Sequence, residues 1–303
     1  MVVQDITDKI NQLRKERNAV ILAHNYQIGE VQDIADYVGD SLGLSIEAAK
    51  TKAAVIVFCG VYFMAETAKI LSPDKVVLVP DENAGCPMAD MLNAEQLIQL
   101  KKEHPNAAVV CYVNSSAAVK ALSDICCTSA NAVKVVQSLT ENEVLFVPDK
   151  YLGHYVSTEV PDKKFIFWNG YCPTHMRIDP AEILKAKELH PNAFVMVHPE
   201  CRPEVIAVAD SALSTGQMLK KAGDPSSNEF IIGTEVGIIH TLKKQYPAKK
   251  FFSVTEKCLC PNMKLTTLEK VLFALEDMKF EVSVDQETAQ KAKLAIDRML
   301  KIT

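Results

Sequence analysis

Apolar and polar positions along this chain spell one pattern three times. A helical period runs over 6–17, 94–104 and 180–190. An Asn-Ala pair at Asn18, Asn106 and Asn192 then opens a short apolar run that ends in polar residues. Next comes a helical stretch closing on an aspartate: Asp36, Asp124 and Asp210. Five residues later stands a hydroxyl, Ser41, Ser129 or Thr215, which opens a new helical pattern. A second apolar run, a further helix and a last apolar run follow. Each unit then ends in Cys-Pro, at Cys86, Cys172 and Cys260.

Each unit therefore reads as helix, strand, helix, strand, helix, strand, Cys-Pro. Continuous apolar runs suit strands buried on both faces, and alternation with helices predicts parallel sheets. The expected fold class is α/β, with three similar parallel-sheet, three-layer domains related by pseudo-threefold symmetry. The expected bounds are 1–85 with 265–303, then 86–171, then 172–264. A partial fourth copy, 265–278, leads into 280–284 and is expected to complete the first domain's layer. Ordinary helix–strand alternation would not hold Asp, hydroxyl and Cys-Pro in one register. Fixed-period self-similarity of this kind marks a repeat.

Composition narrows the function classes. The 303 residues are 48% hydrophobic, enough for a sizeable core. A net charge of −5 gives no basic face for nucleic acid. The opening Met1–Ile6 lacks the basic and apolar regions of a secretory signal, and no apolar run reaches bilayer length, so a cytoplasmic protein with no membrane partner is expected. Nine cysteines in a reducing compartment point to metal binding, catalysis or burial rather than disulfides.

Loops at the carboxyl ends of parallel strands form the binding crevice of open α/β sheets. Around a threefold axis the equivalent loops converge. The first set carries His24 and Tyr26, Tyr112 and Asn114, then His198 and Glu200. The second carries Ser41, Ser129 and Thr215, and the third Cys86, Cys172 and Cys260. Three thiols so far apart in sequence meet only through the tertiary fold. Structural zinc favours four protein ligands, two of them close in sequence. An iron–sulfur cluster tolerates three, leaving one iron open as a Lewis acid. The alternative is plain burial of the three cysteines. Cys258 competes with Cys260, and register and the following proline favour Cys260. Each hydroxyl is either an N-cap or a ligand contact at a positive helix end. His24, Tyr26, His198 and Glu200 suit proton transfer. His175, three residues beyond Cys172, is expected close by.

Longer motifs then bring in a family. His24-Asn25-Tyr26-Gln27, Gly39-Asp40-Ser41, Tyr112-Val113-Asn114-Ser115, His198-Pro199-Glu200-Cys201, Ser214-Thr215-Gly216-Gln217-Met218 and Asn262-Met263-Lys264 resemble the quinolinate synthase family of NAD biosynthesis, over essentially the whole chain. The resemblance implies three α/β domains about one [4Fe–4S] cluster held by Cys86, Cys172 and Cys260. It implies condensation of iminosuccinate with dihydroxyacetone phosphate to quinolinate, phosphate and water, with an aspartate-oxidising enzyme as the source of iminosuccinate. Substrate contacts carried over are His24, Asp40, Ser41, Tyr112, Asn114, Ser129, His198, Glu200, Ser214 and Thr215. Tyr26 and Glu200, with His198, carry over as the catalytic acid–base groups. Some members have a longer cysteine motif near the third ligand. This chain has only Cys258-Leu259-Cys260, which puts any redox switch built on that motif in doubt.

Overall fold

The computed structural model describes residues 3–302. Met1, Val2 and Thr303 close the expected bounds of the first domain and open the stretch read against a signal sequence; they lie outside the described residues. Each unit forms one four-stranded sheet, parallel at every pairing between its strands. The first sheet holds β1 (Ala19–His24), β2 (Tyr37–Gly39), β3 (Val55–Cys59) and β4 (Val76–Leu78), in the order β2-β1-β3-β4. The second repeats that order with β5 (Ala108–Tyr112), β6 (Ile125–Cys127), β7 (Glu143–Val147) and β8 (Lys164–Phe167). The third repeats it with β9 (Phe194–Val197), β10 (Ser211–Ala212), β11 (Glu229–Gly233) and β12 (Lys250–Ser253). Every residue of β3 and β5 is buried, as strands covered on both faces require.

The units thus have four strands, not the three that the apolar runs predict. The extra strands β2, β6 and β10 are edge strands of two or three residues, too short to leave a run in the sequence. The registered aspartates stand immediately before them and explain their placement. Asp36 accepts a hydrogen bond from the Ile21 N–H at 2.8 Å, Asp124 from Val109 at 2.7 Å and Asp210 from Val195 at 2.7 Å. The backbone N–H of the same aspartates returns to the carbonyls of Ile21, Val109 and Val195. Each carboxylate therefore satisfies a buried donor of the central strand where the edge strand has not yet begun. Replacing Asp124 with Ala is expected to lower unfolding free energy by about 1–3 kcal/mol, the cost of leaving a buried N–H unpaired. Asp124→Asn, which keeps an acceptor, is expected to lose less; urea denaturation of both variants checks this.

The leading helices are α1 (Val3–Glu16), α5 (Ala94–Glu103) and α9 (Pro180–Leu189), as the apolar period predicts. The tail divides after them. Leu268–Asp277 forms a helix whose Leu268, Val271, Leu272 and Leu275 pack with Ile6 and Ile10 of α1. Residues 280–282 then run along β4, with the Val282 N–H donating to Val77 and the Val79 N–H to Phe280. The last helix, Gln286–Leu300, lies instead against the second unit, on β6 and on the helix Ala117–Ala121. There Arg298 donates to the Asp124 carbonyl at 2.7 Å, and Asn131 donates to Ile302 at 2.7 Å.

Candidate active site

All three sheets present the carboxyl ends of their strands to one cavity of about 210 Å³. From the first-strand loops it receives His24, Tyr26, Tyr112, Asn114, His198 and Glu200. Asp40, Ser41, Ser129 and Thr215 line it from the second set, and Cys86, Cys172 and Cys260 from the last. Of the candidate residues only Ser214 is absent from the wall. It is fully buried and forms a capping box, accepting from the Gln217 N–H while the Gln217 side chain accepts from its own.

That arrangement changes what the hydroxyls do. The caps are their neighbours, Asp40 for the helix Ser41–Lys50 and Ser214 for Thr215–Ala222. Ser41 and Thr215 are first helical residues and point no side-chain oxygen at their own helix end. Ser129 stands further off, in the turn ahead of a helix that starts only at Ala132. Its hydroxyl meets His198 Nε2 at 3.1 Å.

The two loop histidines are held alike. His24 Nδ1 accepts from the Tyr26 N–H at 3.1 Å, and His198 Nδ1 accepts from the Glu200 N–H at 3.3 Å. The proton of each ring therefore sits on Nε2. Burial lowers both pKa values to about 3, so both rings are neutral donors. Glu200 behaves oppositely. Burial disfavours its charge, but His175, His198 and Tyr112 outweigh that and hold its carboxyl below the usual range. Its Oε2 lies 2.7 Å from His175 Nδ1. Burial raises Tyr26 and Tyr112 well above an ordinary phenol, which keeps them protonated.

The last loop set separates the cysteines. Cys86, Cys172 and Cys260 are half-buried and face the cavity, whereas the other six are buried. Cys258 sits among the apolar residues of the third unit, its Sγ 3.6 Å from the Thr174 carbonyl. A single 3₁₀ turn starts three residues beyond each Cys-Pro cysteine, at Ala89, His175 and Met263. Those three residues donate backbone N–H groups to Cys86, Cys172 and Cys260 respectively. Burial still pushes Cys86 up to about 12 and raises the other two. They stay thiols until a positive group arrives, the usual logic of a metal site.

A fourth loop set, after β3, β7 and β11, also reaches the site. It supplies Val61, the buried Asp149, and the pair Thr234 and Glu235. Glu235 accepts from the Cys260 N–H at 3.1 Å and pairs with Lys264 at 2.8 Å. Lys264 also donates to the Tyr26 carbonyl, and Asn262 donates to the Gly85 carbonyl at 2.7 Å. The third cysteine loop is thereby tied to the first unit. Sequence register had one usable signal here: polar Thr234 and Glu235 directly follow an apolar strand.

The pattern of residues matched outside this chain agrees with that geometry. The family described as Quinolinate synthetase A protein matches residues 8–301. The chain belongs to that family. It is 58% identical over 297 residues to the quinolinate synthase of Dehalococcoides mccartyi strain CBDB1, covering 98% of each chain. It is 55% identical over 302 residues to the quinolinate synthase of Geotalea uraniireducens, covering 100% of this chain and 99% of that one. Against quinolinate synthase 2 of Methanosarcina acetivorans the identity is 54% over 305 residues. Membership makes the chain an enzyme. No helix among the described residues is long and apolar enough to cross a membrane.

Proposed function

We propose that this enzyme condenses iminosuccinate with dihydroxyacetone phosphate to give quinolinate, phosphate and water. We also propose that Cys86, Cys172 and Cys260 hold a [4Fe–4S] cluster. The observation that carries the reading is the selection among nine cysteines: the three registered ones alone line the cavity that also gathers the acid–base and anion-binding groups. The donor set fits the group. Three thiols come from three equivalent loops, and each has an N–H already aimed at its sulfur, a contact that tunes cluster thiolates. When bound, such a cluster supplies one iron without a protein ligand, a Lewis acid for a hydroxyl or carboxylate. A single cation held by Cys172, His175 and Glu200, whose ligand atoms lie within 4.8 Å of one another, suits the site less well. It would leave Cys86 and Cys260 unused.

The substrates bring two carboxylates and a phosphate, and the chain meets them with neutral donors and helix ends. His24 and His198 offer Nε2–H groups. Ser41 and Thr215 stand in the first turns of helices of ten and eight residues, where backbone N–H groups and the dipole favour anions. Asn114 Oδ1 is buried with no hydrogen-bond partner among the described residues, and accepts from an imine or hydroxyl donor. Val61, Phe63 and Met64 close one wall with apolar surface and keep water from reactive intermediates. Tyr26 and Glu200 move the protons that enamine formation and dehydration require. The unstable iminosuccinate comes from an aspartate-oxidising enzyme, in the cytoplasm, where thiols stay reduced.

An anaerobic assay of reconstituted protein tests the reaction. Quinolinate is expected only when iminosuccinate and dihydroxyacetone phosphate are both present, with iron and sulfide in the ratio of one [4Fe–4S] per chain. Quinolinate without the triose, or none from fully loaded protein, overturns it.

A further inference from the structure

Between Tyr26 and Glu200 runs an unbroken line of hydrogen bonds through two residues outside the candidate set. Tyr26 Oη lies 2.6 Å from Thr234 Oγ1, and Thr234 Oγ1 lies 2.8 Å from His175 Nε2. His175 Nδ1 in turn lies 2.7 Å from Glu200 Oε2. The chain crosses all of the sequence. Tyr26 follows β1, His175 follows Cys172, Glu200 follows β9 and Thr234 follows β11. Thr234 and His175 are each 1% exposed and Glu200 3%, so bulk water does not stand in for a missing link.

One boundary condition orients every bond. A carboxylate only accepts, so His175 Nδ1 donates to Glu200. A neutral imidazole that donates from Nδ1 accepts at Nε2, so the Thr234 hydroxyl donates there. Thr234 Oγ1 is then left to accept from the Tyr26 hydroxyl. All the donors point from Tyr26 toward Glu200.

We infer that Thr234 and His175 form a proton relay joining the two acid–base groups of the proposed reaction, on which this inference rests. In the forward direction Tyr26 Oη takes a proton from the substrate as its own proton passes to Thr234 Oγ1. The Thr234 proton passes to His175 Nε2, and the His175 Nδ1 proton passes to Glu200 Oε2. The three middle groups end neutral, and Glu200 ends as the carboxylic acid. It then returns that proton to the hydroxyl that leaves as water, and the chain resets. A relay of this kind suits a condensation followed by dehydration, because the proton removed in one step is the proton needed in the other.

Thr234 is the link to test. Valine matches threonine in shape but cannot pass a proton, whereas serine can. Thr234→Val is expected to lower kcat on the order of 10²-fold, the low end of what a proton-transfer group contributes. KM and cluster absorbance should stay as in the wild type, and the solvent isotope effect on kcat should rise. Thr234→Ser should recover most of the rate. In metal-free wild-type protein, ¹⁵N NMR should show His175 protonated on Nδ1 and bare on Nε2. A Thr234→Val enzyme as fast as wild type with an unchanged isotope effect overturns the relay, as does a serine variant no faster than the valine one. His175 protonated on Nε2 alone overturns it too, even if the valine variant fails to load its cluster. A wild-type chain that makes no quinolinate counts against the proposed reaction instead.

Discussion

Cys260→Ser is expected to remove essentially all cluster absorbance and all activity, while Cys258→Ser keeps both. The two residues flank Leu259, yet the fold gives them opposite surroundings. Cys260 lines the cavity, and its sulfur accepts from the backbone N–H groups of Met263 and Asn262. Its own N–H is held by Glu235, so the whole loop is set for a ligand at that atom. Serine there offers an alcohol in place of a thiol, and thiolate is what iron–sulfur clusters bind. Cys258 is 1% exposed, and burial raises its thiol further still. A serine hydroxyl at 258 can donate to the Thr174 carbonyl as the thiol does, so the cost falls on stability, about 1–3 kcal/mol for a polar group in an apolar pocket. Iron and sulfide analysis of the two purified variants decides it. A Cys258→Ser protein without iron beside a loaded Cys260→Ser protein reverses the ligand choice.

Much of this arrangement could be read from the chain because it rests on local pattern repeated three times. Apolar runs mark the buried strands, and register alone separates Cys260 from Cys258. What could not be read depends on distance. The edge strands β2, β6 and β10 form because an aspartate fifteen residues away in the chain satisfies a neighbouring strand. No local period encodes that pairing. Ser214 belongs to a motif shared with Thr215, yet folding spends its hydroxyl on a cap. Thr234 is the clearest case. It looks like a residue that merely ends a strand, until the fold brings Tyr26 and His175 to its oxygen from 208 and 59 positions away. The loops after β3, β7 and β11 differ from one another, as Val61, Asp149 and Glu235 show, so the repeat itself hid them.

Glu200→Gln is expected to keep the cluster and lose turnover by about 10²–10⁴-fold, the usual scale for a general acid–base group. Glutamine fills the same volume. Its side-chain oxygen can still accept from His175 Nδ1, which now lies 2.7 Å from the carboxylate. The fold and the cysteine loops therefore have no reason to move, and iron content should match the wild type. What disappears is the ability to take a proton and give it back. Since substrate contacts from His24, Ser41 and Thr215 remain, the loss should fall on kcat more than on KM. Near-normal kcat would remove Glu200 from the chemistry. The variant also sharpens the relay. If protons leave Tyr26 through Thr234 to reach Glu200, then Thr234→Val has little left to spoil once Glu200 is glutamine. The double variant should be close to Glu200→Gln alone, not slower by the further factor that Thr234→Val costs by itself. Full additivity would show that Thr234 and Glu200 act in separate steps.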